Sequence, residues 1–197
     1  MKHNFGGETM YDIVIIGGGP AGGSAAIFAS KAGKKTLVID NNKSVTKRAW
    51  LDNHYGTNGI SGPDLVEAGK QQALKFGSEW IEETVTDVKS TNESLSIVTE
   101  SGRTYEAKHV ILATGMVVDL AEKIGVNVIP GTEPRIKSII EVDHQGKTNK
   151  KGIWAAGTVA GVSMHTIITA GDGAKVAINI ISELNGERYV DHDVIKG

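Results

Sequence analysis

Tyr11-Asp-Ile-Val-Ile-Ile-Gly17-Gly18-Gly19-Pro20-Ala21-Gly22 is the stretch on which the fold turns. The apolar run Tyr11 to Ile16 stops abruptly at three glycines and a proline, the pattern of a buried parallel strand meeting a tight turn. Ala21 to Ala32 then reads as a helix, rich in alanines that can lie close to a sheet, with Gly33 where a helix ends. Thr36 to Asp40 supplies the next strand and completes a βαβ unit. Within it, Gly17-x-Gly19-x-x-Gly22 followed by Asp40 about twenty residues on has the spacing of a dinucleotide-binding fingerprint. Gly17 permits the turn, Gly19 lets a pyrophosphate approach the backbone, and Gly22 lets the helix lie against the strands. The N–H groups and dipole of the helix start favour the anion, and Asp40 would accept hydrogen bonds from the adenosine ribose. The plain alternative is a glycine-rich turn followed by an acidic surface residue, and the fingerprint alone does not separate FAD from NAD.

Outward from this unit, Asn41 to Ser61 is polar and contains Asn and Gly, and is read as a ligand-covering loop. Pro63 and Asp64 open a helix that closes at Gly77, with Leu65, Val66, Ala68, Ala73, Leu74 and Phe76 at its apolar positions. Three strands, about Trp80 to Lys89, Leu95 to Glu100 and Arg103 to Glu106, predict a β-meander. His109 to Ala113 is a further buried strand ending in Thr114-Gly115. Met116 to Lys151 is the least regular stretch and is expected to wrap the surface. Gly152 to Ala156 leads into Gly157-Thr158, and Thr166 to Leu184 reads as a long helix with Asn185-Gly186 behind it.

Bulk properties narrow the chemistry. With 197 residues one domain over 1–197 is the default, and a 40% hydrophobic, 22% charged composition is that of an ordinary globular chain. A net charge of -2 leaves no electrostatic footprint for nucleic acid or an anionic membrane. The 25 glycines suggest loops that approach a ligand closely. No cysteine is present, which removes disulfides, zinc-thiolate sites and thiol redox chemistry, so electron traffic would run through a bound cofactor. No metal site is expected. No apolar run approaches the length of a membrane span and residues 1–10 have no signal-peptide core, so they are expected to form a flexible leader on a cytoplasmic protein.

The rest of the chain resembles the FAD domain of the thioredoxin reductase family, within the glutathione reductase-like flavoproteins. The resemblance runs from Tyr11 to Gly186. It rests on the fingerprint, Asp52-Asn53-His54-Tyr55-Gly56 with Gly59 to Leu65, the meander, and His109-Val-Ile-Leu-Ala-Thr-Gly115. Gly152-Ile-Trp-Ala-Ala-Gly157 and Thr169-Ala-Gly-Asp-Gly-Ala-Lys175 complete it. It implies an α/β fold: a Rossmann-type FAD-binding domain with a central parallel sheet and a small β-meander. It also implies FAD as cofactor, its ADP half held by Gly17, Gly19, Pro20, Ala21, Gly22, Asp40 and Asn41, with the Val85 backbone at the adenine edge. Asn53 would lie beside the flavin, and Ala113, Thr114 and Gly115 near the pyrophosphate and ribityl. Gly157 and Thr158 stand where the family usually has Gly-Asp; Thr158 brings no charge to the ribityl. His165 and Thr166 would begin a helix under the isoalloxazine, where backbone N–H groups favour negative charge on the ring. His165 is the candidate proton donor, although a lone loop histidine is more often simply solvated.

The chief departure from the family is a deletion. After Gly115 the family inserts a nicotinamide-binding domain with a Cys-x-x-Cys dithiol; here the irregular residues 116–151 replace it. The expectation is a FAD-dependent oxidoreductase that takes electrons from an external donor or protein partner and passes them to another acceptor, and is not a thioredoxin reductase. A non-catalytic FAD-binding module, or the FAD subunit of a split reductase, is the alternative, and an NAD-dependent dehydrogenase a third. Relatives dimerise through the FAD domain, so the resemblance implies a homodimer. Trp50, Trp80 and Trp154 are read as packing residues, the pair Lys47-Arg48 as either a phosphate contact or a solvated surface, and Lys147 to Lys151 as a solvated turn.

Overall fold

The computed structural model describes residues 10–195; apart from Met10, the expected leader lies outside the described residues. The apolar run forms strand β1 (Tyr11–Ile16), followed by helix α1 (Pro20–Lys31) and strand β2 (Thr36–Asp40). After a single 3-10 turn come the two-residue strands β3 (Trp50–Leu51) and β4 (Ile60–Ser61), paired antiparallel, and helix α2 (Gly62–Lys75). Strands β5 (Glu79–Glu82), β6 (Val85–Ser90), β7 (Leu95–Thr99) and β8 (Thr104–Leu112) follow. The chain continues through α3 (Asp119–Lys123), β9 (Val128–Pro130), β10 (Ser138–Ile140) and β11 (Ile153–Ala155) to helix α4 (Thr166–Asn185).

A parallel sheet in the order β5-β2-β1-β8-β11 forms the centre. Alternate residues of β1 point to its two faces, as a strand requires. Ile13 and Ile15 join Val38, Ile111 and Trp154 in packing against α1 and α4, where Ala25, Ala26, Ala29, Val176 and Ile180 are fully buried. Val14 and Ile16 face the other way, with Leu37, Ile39, Val110 and Leu112, onto the meander and the segment around Val126 and Ile140. The small side chains of α1 let α4 approach so closely that a Cβ on Gly173 would lie 2.0 Å from the Ala21 carbonyl oxygen.

Two strand boundaries differ from the sequence reading. Trp80 to Lys89 is two strands: β5 runs parallel to β2, the Glu83 N–H donates to the Asp40 carbonyl at 3.1 Å, and β6 then enters the meander. Arg103 to Glu106 and His109 to Ala113 belong to one continuous strand. The first half of β8 pairs antiparallel with β7, and from Ala107 onward it pairs parallel with β1. Polar Lys108 and His109 interrupt the apolar pattern but not the strand: Lys108 points outward to Asp12 at 2.8 Å, and His109 points inward. The covering loop is also more ordered than expected, being a 3-10 turn and a β-hairpin whose tip is residues 52–59. Residues 116–151 supply α3 and the antiparallel pair β9–β10. Among the described residues no helix is long and apolar enough to cross a membrane.

His109 lies buried beside the Trp154 ring, and its Nδ1 accepts the Trp154 indole N–H at 3.1 Å. That bond requires Nδ1 unprotonated, and burial pushes the imidazole below its ordinary 6.5, with Lys147 and Lys108 acting in the same direction against Glu183 and Asp12. The unfolded chain therefore binds a proton that the folded chain resists. Stability is full above about pH 6.5 and falls as the pH drops below it, by at most about 1.4 kcal/mol per pH unit, levelling off once the folded histidine also titrates. Urea unfolding at about pH 7.5 and about pH 5 should show a smaller loss in His109→Gln than in the native chain; equal losses would mean that His109 does not carry this dependence.

Candidate functional site

The site grows from the end of β1. Gly17 leaves the strand at φ +105°, its N–H bonded to the Ile39 carbonyl at 2.9 Å, in a region open to glycine and strained for other residues. A Cβ there would lie 2.3 Å from the Ala113 carbonyl oxygen, and one on Gly22 would lie 1.8 Å from that of Gly17. Gly22 is therefore the contact that lets α1 start directly above the strand. Gly18 donates its N–H to Asp40 Oδ1 at 3.0 Å, so the acid at the end of β2 already steadies the turn before any ligand is considered.

The helix that begins here is open at its N-terminus. Gly19 is the residue before α1; it makes no side-chain cap, and no acidic residue stands in the first turn. By contrast α2, away from the site, is satisfied locally: the Ser61 hydroxyl accepts the Asp64 N–H at 3.2 Å. A helix end left uncapped with its N–H groups toward a cleft attracts an anion through both hydrogen bonding and the helix dipole.

A cleft of about 370 Å³ runs past this turn. One end is walled by Asp40, Asn41, Glu83, Thr84 and Val85, the middle by Gly17 to Ala21 and Ser44, and the other end by Ala113 to Val117, Thr158, Met164 and Thr169. Glu83 is held below the usual carboxylate range by the Thr99 hydroxyl, with Ser101 and Arg103 acting in the same direction. That end of the cleft therefore presents negative charge together with Asp40.

Of the residues proposed from sequence, Gly17, Gly19, Pro20, Ala21, Asp40, Asn41, Val85, Ala113, Thr114, Gly115 and Thr158 line this one cleft. Gly22, Asn53, Gly157, His165 and Thr166 are not part of its wall. Gly22 and Gly157 lie behind it: Gly157, at φ +83°, would bring a Cβ within 2.7 Å of that of Ala21. His165 precedes α4, exposed, with Ser163 Oγ 2.8 Å from its Nδ1; Thr166 is buried and its hydroxyl meets His54 Nδ1 at 2.8 Å. That bond ties the hairpin tip, which carries exposed Asn53, to the start of α4. Of the three tryptophans, Trp154 is core, Trp80 packs beside the glycine turn and Trp50 is 67% exposed. Among the described residues no cluster of three His, Cys, Asp or Glu side chains could hold a metal ion.

Four residues of the site do more than the sequence reading gave them: Gly18, Thr169 and Asp172 fall within its motifs without a role of their own, and Ser44 falls within the covering loop. Gly18 is as constrained as the fingerprint glycines, since a Cβ would lie 2.3 Å from Trp80 Cζ2 and 2.8 Å from Asp40 Cγ; the unbroken glycine triplet was its signal. Ser44 reaches the turn from the covering loop, its Oγ 3.1 Å from where a Gly19 Cβ would be. Thr169 lines the cleft from α4, one turn after Thr166. Asp172 is buried behind it and accepts the Gly157 N–H at 2.8 Å. Local sequence pattern gives the last three no role at the cleft, although Thr169 and Asp172 stand in a quoted motif, because each is brought in from a distant element.

Known proteins identify the family and the fold. The chain belongs to the pyridine nucleotide-disulphide oxidoreductase family, whose profile matches residues 11–139 and 81–174. A bifunctional thioredoxin reductase/thioredoxin of Mycobacterium leprae is 38% identical over 112 residues, 55% of this chain and 24% of that protein. A thioredoxin reductase of Listeria monocytogenes is 36% identical over 111 residues, again 55% of this chain and 34% of the relative. The chain thus matches well under half of the length of these relatives. Among solved structures, an oxidoreductase from Agrobacterium tumefaciens superposes with a TM-score of 0.80 at 18% identity, over 91% of this chain and 100% of that one. A thioredoxin reductase from Gloeobacter violaceus gives 0.78 at 17%, over 94% and 99%. The fold is accordingly the Rossmann type of the thioredoxin reductase-like FAD-dependent oxidoreductases.

Gly18→Ala tests the turn. Overpacking against Trp80 should cost about 1–3 kcal/mol in urea unfolding, and Trp80→Leu in the same chain should return part of that loss. A Gly18→Ala chain as stable as the native one would show that the turn has slack.

Proposed function

We propose that this chain is a FAD-dependent oxidoreductase, with FAD lying along the cleft. The observation that carries the reading is the uncapped start of α1 above a glycine turn, in one continuous cleft with Asp40. The residues present fit the cofactor. The backbone of Gly17 to Gly22 would take the diphosphate, including the Ala21 amide at the helix start, while Pro20 has no N–H to compete. Asp40 has one oxygen engaged by Gly18, leaving the other for the adenosine ribose, with Asn41 and Val85 at the adenine. Asp40 and Glu83 together disfavour a further phosphate on that ribose. Ala113, Thr114, Gly115 and Thr158 would meet the ribityl half, with Gly157 behind them. Asn53, His165 and Thr166 would lie near the ring, where the start of α4, which also lacks a side-chain cap, places helix N–H groups.

When bound, FAD supplies the redox chemistry; the chain binds it, orients it and sets its electrostatic surroundings. In this reading the chain is one domain over 1–197, residues 116–151 standing in place of the family's nicotinamide domain. The electron donor and acceptor are external, a protein partner among them. The reading excludes thioredoxin reduction by the usual route, because that route needs a dithiol and these 197 residues contain no cysteine. It places the protein in the cytoplasm as a homodimer, without nucleic-acid or membrane partners. A second reading, a FAD subunit of a split reductase or a non-catalytic FAD module, draws support from the same lack of cysteine in these residues.

The test is the visible spectrum of the purified protein with its extracted cofactor weighed by mass, followed by anaerobic photoreduction and mixing with oxygen, quinones and disulfides. The enzyme reading predicts bound FAD and selective, rapid reoxidation by one acceptor class. Bound but inert FAD would favour the module, and a colourless protein that binds NAD would overturn both.

A further inference from the structure

Asp172 is a carboxylate that the proposed cofactor contacts leave unexplained. It sits in the middle of α4, 8% exposed, where an unsatisfied charge would be strongly unfavourable. Its Oδ2 accepts the Gly157 N–H at 2.8 Å and its Oδ1 pairs with Lys175 Nζ at 2.5 Å. The lysine side chain is 48% exposed, so the pair has one foot in solvent. The amide it grips belongs to the turn at the end of β11. Gly157 there has φ +83° and ψ -154°, a conformation reserved for glycine, and the next residue, Thr158, is buried yet faces the cleft.

The same stretch of α4 touches the other wall. Gly173 lies against the Ala21 carbonyl, and Gly157 lies against the Ala21 and Thr169 side chains. Ala21 and Thr169 both line the cleft. Asp172 thus stands where the start of α1, the end of β11 and α4 converge, one residue layer behind the cleft wall. We propose that Asp172 is a positioning residue. Through the Gly157 N–H it fixes the turn that presents Ala156 and Thr158 to the ribityl half of FAD. Its carbonyl-like acceptor oxygen is the essential feature, while Lys175 serves to offset its charge. This rests on the FAD reading above.

Three variants of the full chain separate this role from simple stability. Asp172→Asn keeps an acceptor for the amide and removes the charge; Asp172→Leu keeps the volume and removes the acceptor; Lys175→Met keeps the bond and removes the counter-charge. Lys175 is half-exposed and can turn to solvent, so the leucine variant strands no buried charge and is expected to fold. FAD affinity is read by reconstituting deflavinated protein, alongside the flavin absorption spectrum and thermal unfolding of each apo form. Asp172→Leu should bind FAD roughly tenfold to a hundredfold more weakly, with an altered flavin spectrum, at a temperature where its apo form remains folded. Asp172→Asn and Lys175→Met should stay within about threefold of the native affinity. Native affinity and spectrum in Asp172→Leu would overturn the proposal, and so would a loss in Asp172→Asn or Lys175→Met as large as that expected for leucine. Should Asp172→Leu fail to fold, Asp172→Ala, which also removes the acceptor of the Gly157 N–H, takes its place with the same two outcomes. A native chain that takes up no FAD would instead defeat the FAD reading itself.

Discussion

Gly22 has no room for a side chain, because the Gly17 carbonyl occupies the space a Cβ would need. That contact brings the start of α1 directly over the end of β1, and the rest of the site follows from it. Once the helix begins there, its free N–H groups face outward at the carboxyl end of a parallel sheet, where α/β folds place their ligands. Asp40, at the end of the neighbouring strand, binds the Gly18 amide and keeps the turn in this shape. The alanines of α1 and Gly173 of α4 then bring the second helix against the first, and α4 carries Thr166, Thr169 and Asp172 toward the other end of the cleft.

The parts of this design that were legible in the sequence are those set by consecutive residues. The glycine spacing, the apolar strand before it and the acid after β2 identify a βαβ unit with a dinucleotide cradle, because the steric demands of that turn leave few other sequences possible. Boundaries in the meander were less legible. Strand β8 changes partners at Ala107 without changing its own alternation, so the polar pair Lys108-His109 reads as a break when it is one residue out and one residue in. Likewise, Trp80 to Lys89 reads as one strand because pairing direction leaves no mark on a short β-rich segment. The roles of Ser44, Thr169 and Asp172 were illegible for a different reason: although the last two stand in a quoted motif, those roles exist only after distant segments meet.

The chemistry available to the chain is as instructive as its fold. It belongs to a family of pyridine nucleotide-disulphide oxidoreductases, yet it has no thiol and matches only part of its relatives' length. Its cleft is neutral at the end lined by Thr158, carries Asp40 and Glu83 at the other, and is lined by the glycine turn between, a distribution that suits the proposed dinucleotide. Specificity for electron donor and acceptor would then reside outside this cleft, in what approaches the exposed rim formed by Met116, Val117 and Met164.

The central claim is that a diphosphate, gripped by the glycine turn and the start of α1, supplies most of the affinity. Calorimetric titration of the deflavinated protein with FAD, ADP and riboflavin tests it most directly. ADP should compete with FAD, and riboflavin, which lacks the diphosphate, should bind at least about a hundredfold more weakly than FAD. Riboflavin binding as tightly as FAD, undisturbed by ADP, would contradict the account.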